Sequence, residues 1–399
     1  MRVDCNPATP TFSLENSHKF LYYCSMKKLL LILLCFPFIS LAQQTYVPDD
    51  NFEQALINLG YDNVLDNYVL TSNIASIGYL DVSSQNISDL TGIQDFDSLW
   101  FLNCHNNQLI TLDVSNNFLL TGLHCAMNLL SSIDVSQNLY LEWFPCHDNL
   151  LTALDLSNNI NLHTLACYNN QLTNIDLSNN PNLISLVIFN NQLYSIDLSF
   201  QDIQYVDCNN NQITDLTIVS DSLKELHCGN NPVFLFDATN HPNLEFLEIY
   251  NTEIFNIDLS QNLDLWFLSI GTNPNLWSLD LSNNYNLQQL DVFTNSLSNL
   301  DMQNGNNQNI SYFVSWNSQY LECISVDDSV YSTNNWTSID TWHYFSNNCE
   351  GTTSIEENTT NKKLLKIIDI LGRDTEQKRN TPLYYIYNDG TVEKRIIIE

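Results

Sequence analysis

The chain has 399 residues, of which 44% are hydrophobic and 15% are charged, and its formal net charge at pH 7 is −32. Four of its 13 Lys and Arg residues lie in residues 1–42 and eight in residues 362–399, so Lys224 is the one basic side chain in between. This acidic middle excludes nucleic acid and anionic lipid surfaces as its partners, because both need clustered cations. Cations, neutral glycans and basic proteins stay open.

An export signal lies some way into the chain. A charged start at Met26 is followed by an apolar run as far as Ile39 and by the small-residue sequence Ser-Leu-Ala. Residues 26–42 are therefore a predicted secretory signal peptide, too short to anchor the protein permanently in a membrane. Residues 1–25 have no role in this arrangement, and we expect them to be untranslated or missing from the mature protein.

Residues 43–76 are predicted to form a helical N-terminal cap. Asp50 and Glu53 have the spacing of a capping box at a helix N-terminus, and Gly60 is placed to end the helix. Four apolar residues share one face, which we expect to cover the first unit of the segment that follows: Phe52, Ala55, Leu56 and Leu59.

Residues 77–322 repeat with a period of 20 to 22 residues. Such a period is typical of a solenoid of stacked coils, which usually presents a surface to partners and seldom encloses an active site. We call the apolar position on which the twelve units align the core column. Its members are Val82, Cys104, Cys125, Cys146, Cys167, Ile188, Cys208, Cys228, Ile249, Ile270, Val292 and Val314.

Each unit contains a half-buried strand and a recurring Asn. Leu102 and Cys104 point one way while Asn103 and His105 point the other, as in a strand with one buried face. The Asn three residues after the core column should donate to one coil and accept from another. Gln85 and Thr252 replace it in two units, and the other ten have Asn107, Asn128, Asn149, Asn170, Asn191, Asn211, Asn231, Asn273, Asn295 and Asn317.

The pattern Leu-x-Cys/Ile-x-x-Asn-x-Leu, followed by Leu-Asp-Leu-Ser-Asn-Asn, resembles the leucine-rich repeat. The cysteine-bearing form is similar to repeats of secreted Bacteroidetes proteins, and the cap is similar to that of internalin-like proteins. The resemblance implies an α/β-type solenoid dominated by β structure. It would be a right-handed coil of about 12 turns with a parallel sheet on its concave face and extended or irregular returns on its convex face.

The 11 cysteines fall into different settings. Six lie in the core column, where Ile or Val fills the other places, so we expect reduced thiols that act as small apolar filler. A metal or disulfide ladder is the alternative, although the coil spacing is too wide for S–S bonds. Cys323 and Cys349 enclose an aromatic segment, and residues 323–350 are predicted to form a C-terminal cap closed by their disulfide.

Residues 351–361 read as a polar linker, and the basic residues 362–399 contain short apolar runs that predict strands. The segments Ile-x-Asp-Ile-Leu-Gly-Arg and Tyr-Ile-Tyr-x-Asp-Gly-x-x-x-Lys-Arg resemble the C-terminal sorting domain of the type IX secretion system of Bacteroidetes. That resemblance implies passage across the outer membrane and removal of the tail, with release or surface attachment. A small β cap on the solenoid is the alternative.

The outward strand positions vary from unit to unit and form the candidate binding face. Aromatic rings beside polar groups suit a sugar ring or a protein partner, but they could equally pack on one another across neighbouring strands. The candidate residues are Phe101, Trp143, Tyr168, Phe189, Tyr205, Asp207, Glu225, His227, Phe246, Glu248, Tyr250, Phe267 and Phe293.

Two carboxylate rows are candidates for chemistry. Asp207, His227 and Glu248 should stack about 5 Å apart, with Glu225 beside the His. We favour a hydrogen-bonded surface ladder with a raised His pKa, and a divalent cation site or acid–base catalysis are the alternatives. The second row either accepts local hydrogen bonds or binds calcium: Asp113, Asp134, Asp155, Asp176, Asp197, Asp237, Asp258, Asp280 and Asp301.

These features favour a non-enzymatic binding or adhesion protein that is secreted or held at the outer cell surface. We expect a monomer without catalytic residues or a required cofactor, with a protein or glycan ligand and with the type IX secretion machinery as the partner of residues 362–399. An extracellular polymer-degrading hydrolase and a cation-stabilised structural surface protein are the alternatives.

Overall fold

The computed structural model describes residues 43–349, 363–369, 372–376, 382–388 and 391–396. Within these ranges the chain forms three α-helices, three short 3-10 helices and 23 strands. The predicted signal peptide, the segment before it and the predicted linker lie outside the described residues.

The N-terminal cap combines strands β1 (Gln44–Tyr46) and β2 (Tyr68–Leu70), which pair in a two-stranded sheet, with helices α1 (Asp50–Asn58) and α2 (Thr71–Ile74). Phe52, Ala55 and Leu56 of α1 are buried as predicted, but Leu59 is 44% exposed because it already stands beyond the last helical turn.

The capping box predicted from Asp50 and Glu53 is wrong. Asp49 caps the helix, since its Oδ1 accepts from the backbone N–H groups of Asn51 and Phe52 at 2.9 and 3.0 Å. Its Oδ2 accepts from Ser88 at 2.7 Å, so the same carboxylate joins the cap to the first coil. Glu53 is buried and its Oε1 accepts from the backbone N–H groups of Asp66 and Tyr68 at 2.8 and 3.1 Å, so it holds the loop before β2 instead of capping the helix.

Twelve parallel strands form the concave sheet, one for each predicted coil, which confirms the fold class. They are β3 (Tyr79–Asp81), β4 (Phe101–Asn103), β5 (Gly122–His124), β6 (Trp143–Pro145), β7 (Thr164–Ala166), β8 (Ser185–Val187), β10 (Tyr205–Asp207), β12 (Glu225–His227), β13 (Phe246–Glu248), β14 (Phe267–Ser269), β16 (Gln289–Asp291) and β18 (Tyr312–Val314). The middle residue of each strand points into one continuous apolar core.

The core column is confirmed in eleven coils and is wrong in the last. Asp291 pairs with Val314, so the partner of Val292 in the column is Ser315, which is fully buried. The turn residue two positions after the column has φ near +55° throughout, and Asn317, at φ 60°, holds this place in the last coil. The last unit is one residue longer than its neighbour, and the apolar Val314 hid that shift from the sequence pattern.

The Asn residues after the column form a hydrogen-bonded ladder, which we call the strand ladder. Asn128 accepts from Leu109 N of the preceding coil at 3.0 Å and donates to the carbonyls of Cys104 and Cys125, both at 3.1 Å. This bridging between coils confirms the predicted role. Ser318, and not Asn317, ends the ladder, because the register of the last coil is shifted.

The six column cysteines are free and fully buried, as expected for apolar filler. Burial raises the pKa of these thiols, to about 12 for Cys125. They therefore stay protonated and unreactive at neutral pH.

The convex side carries fewer strands, each of three or four residues. β9 (Ser195–Leu198) pairs with β11 (Asp215–Ile218), and a four-stranded sheet contains β15 (Ser278–Asp280), β17 (Asn299–Met302), β19 (Cys323–Val326) and β20 (Tyr344–Ser346). The other described returns are extended or turn-rich, apart from 3-10 helices at Ile93–Asp95, Ala238–Asn240 and Asn307–Asn309.

A second ladder, which we call the return ladder, holds the convex corner and was missed by the sequence analysis. Asn138 donates from Nδ2 to the carbonyls of Val114 and Asn117 at 3.1 and 2.9 Å, while its Oδ1 has no hydrogen-bond partner within the described residues. The return ladder consists of Asn117, Asn138, Asn159, Asn180, Gln201, Ser220, His241, Asn262, Asn284 and Asn304.

The C-terminal end of the solenoid is covered by aromatic packing and by helix α3 (Ser329–Asn335). Trp336 is buried between Phe313 and Phe345, with ring centroids 4.6 and 5.4 Å away. Cys323 and Cys349 form a disulfide with their Cα atoms 5.8 Å apart. The open end of the core is thereby closed against solvent.

The tail forms a three-stranded antiparallel sheet of β21 (Leu364–Ile368), β22 (Pro382–Tyr387) and β23 (Val392–Ile396). Leu383, Tyr385 and Tyr387 make a small apolar cluster separate from the solenoid core. In the described ranges no helix is long and apolar enough to cross a membrane.

Candidate ligand-binding face

The in-register sheet arranges its outward side chains in three rows. The first row contains the first residue of each strand, and the middle row contains the third residue of each strand. The third row contains the residue that follows the core column. All thirteen candidate residues lie in these rows. The first row holds Phe101, Trp143, Tyr205, Glu225, Phe246 and Phe267; the middle row holds Asp207, His227 and Glu248; the third row holds Tyr168, Phe189, Tyr250 and Phe293.

The nine aromatic candidates are half-buried, and six of them stack in pairs across strands: Phe101 with Trp143, Tyr168 with Phe189, and Phe246 with Phe267. The Tyr168 ring lies 4.3 Å from Phe189 and 4.1 Å from His147, and Phe246 lies 4.0 Å from Phe267 in a nearly parallel stack. The two alternatives for these residues, a binding face and packing across strands, therefore describe the same geometry. The rings pack across strands, and their outer edges form a fixed, partly exposed surface.

Glycines in the rows give the rings room. A Cβ on Gly122 would lie 2.4 Å from the Phe101 ring, which spans that coil to stack on Trp143 with a centroid distance of 5.5 Å. In the same way a Cβ on Gly229 would meet the Tyr250 ring at 2.4 Å. The ring positions therefore depend on missing side chains in neighbouring coils.

The carboxylate–histidine row forms a hydrogen-bonded pair with two neighbours. His227 Nδ1 lies 2.7 Å from Glu248 Oε2, and its Nε2 lies 3.9 Å from Glu225 Oε2. Asn209 Nδ2 donates to Glu248 at 3.4 Å. Asp207 pairs in the strand register with His227 and accepts from Asn209 N at 3.2 Å.

The electrostatics of this row follow from burial and from the close charges. Burial disfavours the charged form of His227, but the hydrogen bond to Glu248 and the charges of Glu248, Asp207 and Glu225 outweigh it and raise the pKa of His227, as predicted. The hydrogen bond from His227 lowers the pKa of Glu248. Burial raises the pKa of Asp207.

A second histidine group lies nearer the N-terminal end. His124 stacks on His105 with ring centroids 4.6 Å apart and lies edge-on to Trp143 at 5.2 Å. Burial, together with the neighbouring His105 and His147, lowers the pKa of His124 to about 4. This ring is therefore neutral at physiological pH and belongs to the aromatic surface.

Several residues of the face were not predicted from the sequence. Asp291 lies in the middle row, where its carboxylate is half-buried, and burial raises its pKa. Trp316 stacks on Phe293 with a centroid distance of 5.3 Å and was missed because of the register error in the last coil. Tyr79 starts the first row and stacks on Phe101 at 5.3 Å. Counting along each row would have found Asp291 and Tyr79.

The aspartates of the convex returns have a structural role. Each accepts a hydrogen bond from the backbone N–H two residues later, as Asp155 does from Ser157 at 3.0 Å and Asp176 from Ser178 at 3.0 Å. Hydrogen bonds from Ser115 lower the pKa of Asp113. Across the part of the chain that the structure describes, no three His, Cys, Asp or Glu side chains are grouped to hold a metal ion.

No family model and no curated protein match the chain. Among solved structures, the functional domain of InlJ from Listeria monocytogenes, described as including a cysteine ladder, has a TM-score of 0.50 and 24% identity over 71% of this chain and 76% of that one. The internalin InlF from Listeria monocytogenes has a TM-score of 0.55 and 23% identity over 74% of this chain and 95% of that one.

The Arabidopsis receptor kinase HAESA, solved in complex with the peptide hormone IDA and the co-receptor SERK1, has a TM-score of 0.55 and 20% identity over 64% of this chain and 47% of that one. At these identities the similarity establishes the fold. The chain is a leucine-rich repeat solenoid.

Proposed function

We propose that this protein is a non-enzymatic binding or adhesion protein that presents its concave sheet to a protein or glycan partner. The observation that carries the proposal is the contrast between the core and the face of the same strands. The core positions repeat from coil to coil, whereas the three outward rows vary and contain stacked, half-exposed aromatic rings.

Stacked rings favour binding because they are ordered before a partner arrives. A partner then gains aromatic contact area with little further loss of side-chain entropy. The fold supports the same function, since the similar plant receptor kinase is described in complex with a peptide hormone. Repeat solenoids in general use their extended concave surfaces in this way.

The arrangement around His227 gives little support to a hydrolase. Nδ1 of the ring is held by Glu248 at 2.7 Å, and Nε2 faces Glu225 at 3.9 Å. Among residues 43–349 no Ser, Thr or Cys side chain forms a hydrogen bond to this ring, so within that range no nucleophile is paired with it.

The proposal includes an address outside the cell. Residues 26–42 would direct export and be removed, and residues 362–399 would direct passage through a type IX secretion system before release or surface attachment. The supporting observations are the signal-peptide pattern, the two tail motifs and the separate apolar cluster of the tail sheet. The mature protein would then consist of the cap at 43–76, the repeats at 77–322 and the cap at 323–350.

The proposal is tested by screening the full chain against a glycan array and a panel of cell-surface proteins. Trp143→Ala, Phe189→Ala and Phe246→Ala in one variant should weaken the best-bound ligand at least about tenfold, because buried aromatic anchors dominate such interfaces. A matched variant changes three exposed aromatics of the returns to Ala: Phe118, Tyr140 and Phe200. Equal binding by the two variants, with both still folded, would refute the concave site.

A further inference from the structure

We propose that the C-terminal half of the concave face, from β10 to β18, docks a basic segment of a partner protein whose arginine or lysine side chains reach Asp207 and Asp291. This inference rests on the proposed function and names the class of partner. The occupied surface would be the unpartnered sheet face between two aromatic walls, and its occupant would be a cationic polypeptide.

We call this surface the trough, because its first and third rows carry aromatic side chains on either side of the middle row that contains Asp207 and Asp291. One wall comes from the first row, where Phe246 and Phe267 stack at 4.0 Å. The other wall comes from the third row, where Phe293 and Trp316 stack at 5.3 Å on the two coils that follow those of Phe246 and Phe267. Four residues along a strand separate the walls, which is roughly 13 Å at the rise of a β-strand. The middle row lies between the walls and forms the floor of the trough.

The floor offers hydrogen-bond acceptors. Asp207 accepts from Asn209 N at 3.2 Å and Asp291 accepts from Phe293 N at 3.2 Å, and the structure gives neither carboxylate a Lys or Arg partner within the described ranges. Beside Asp207, in the third row, Asn209 has a buried Oδ1 with no hydrogen-bond partner there. Glu248 differs, because His227 already donates to it at 2.7 Å. The two carboxylates favour donors that carry positive charge, and Asn209 Oδ1 can accept a further hydrogen bond.

The repeats supply no Lys or Arg side chain to these carboxylates, although His227 lies beside Asp207 in the strand register and the charge of Asp207 helps to raise its pKa. Lys224 is the one Lys or Arg between residues 43 and 361, and its ammonium group is held by Glu245 at 3.0 Å. Two half-buried carboxylates without a Lys or Arg partner cost free energy in the unbound protein. A cation from a partner offsets that cost, and the trough therefore selects by charge.

The aromatic walls favour arginine over a simple cation. A guanidinium group stacks on aromatic faces while its N–H donors reach a carboxylate. Asp207 and Asp291 lie four strand steps apart, which is roughly 19 Å at the usual strand spacing. An extended peptide covers that distance in about six residues. Two basic side chains at that separation would reach both ends of the floor.

The experiment is selection of a displayed random dodecapeptide library on the full chain, followed by affinity measurement with the enriched synthetic peptides. We expect enrichment of peptides with two Arg or Lys about six residues apart. Asp207→Asn with Asp291→Asn should weaken these peptides about tenfold or more, as loss of a buried charge pair does.

The matched control is Asp155→Asn with Asp176→Asn, which makes the same charge change on the convex side and keeps the oxygen that accepts from each turn N–H. It should leave affinity within about twofold, because exposed charges are screened. Equal weakening by both pairs would overturn the proposal in favour of non-specific attraction. Enrichment of non-basic peptides that still lose binding in the Trp143, Phe189 and Phe246 variant would overturn the basic partner but keep the binding face. Peptides unaffected by either set of changes would overturn both.

Discussion

The two corners of each coil use the same residue in different ways. At the strand ladder Asn128 uses both ends of its amide, accepting from Leu109 N and donating to three carbonyls at 3.1 to 3.2 Å. At the return ladder Asn138 uses its Nδ2 alone, with two hydrogen bonds. A buried Asn that recurs in every coil therefore does not make a fixed contribution to the free energy of unfolding. Its contribution depends on how many hydrogen bonds its side chain forms.

The substitutions found within each ladder follow this difference. The strand ladder departs from Asn at its two ends and at Thr252. The return ladder accepts three consecutive replacements in its middle: Gln201, Ser220 and His241. Each of these can still donate a hydrogen bond to a carbonyl of the preceding coil, which is all that this corner requires.

The strongest test of the comparison replaces one Asn of each ladder. Asn128→Ala should lower the free energy of unfolding by about 3 kcal/mol, because it leaves several buried backbone groups unpaired, whereas Asn138→Ala should cost about 1–2 kcal/mol. Urea denaturation of the two variants measures both values. Equal losses would show that the extra hydrogen bonds of the strand ladder contribute nothing.

A restoring change should raise stability at the weak place of the strand ladder. No acceptor pairs with Val233 N among the described residues, because Thr252 lacks the amide oxygen that an Asn would offer there. Thr252→Asn should stabilise the protein by about 1 kcal/mol. Thr252→Val, which removes the hydroxyl and adds no amide, is the control and should destabilise. If Thr252→Val also stabilised the protein, the gain of Thr252→Asn would come from apolar packing and not from the restored hydrogen bond.

The return ladder should respond to acid at His241. Burial lowers the pKa of His241, whose Nδ1 lies 2.6 Å from Ser220 O. The neutral ring is favoured by folding, so its contribution is present above the unfolded pKa of about 6.5 and is lost as the pH falls below that value. His241→Asn removes this titration, so the stability of the variant relative to the natural protein should rise as the pH falls from 7 to 5. The measurement is the melting temperature of both proteins across this pH range. A constant difference between the two melting temperatures would contradict the assignment.

The smallest effect is expected at the turn before each strand-ladder residue. Met127 holds the left-handed conformation at φ 55°, where most other coils have Asn or Asp. Met127→Asn should stabilise by about 0.5 kcal/mol, since Asn adopts this conformation at lower cost. Met127→Val should destabilise, and a Val variant as stable as the Asn variant would mean that backbone strain is absent there.

Much of the candidate site followed from counting along the repeat. The thirteen proposed residues fell on one face because side-chain direction in a strand alternates strictly, so the register transfers from coil to coil. The count failed at Val314, where an apolar residue stands one place before the true column residue, Ser315. The N-cap failed in a similar way, since Asp49 and Asp50 are adjacent and either could cap a helix from the sequence alone.

Period and polarity by themselves determined the solenoid, the concave sheet, the strand ladder and the buried cysteines, because a stacked coil repeats its local environment at each step. The tertiary structure decided what depends on distances between different coils. It paired His227 with Glu248, left Asp207 and Asp291 without a Lys or Arg partner within the described residues, and set aromatic rings in stacks over glycines. Those contacts form between side chains of neighbouring strands. They depend on the side-chain conformations of both coils, which the sequence pattern of one coil does not specify.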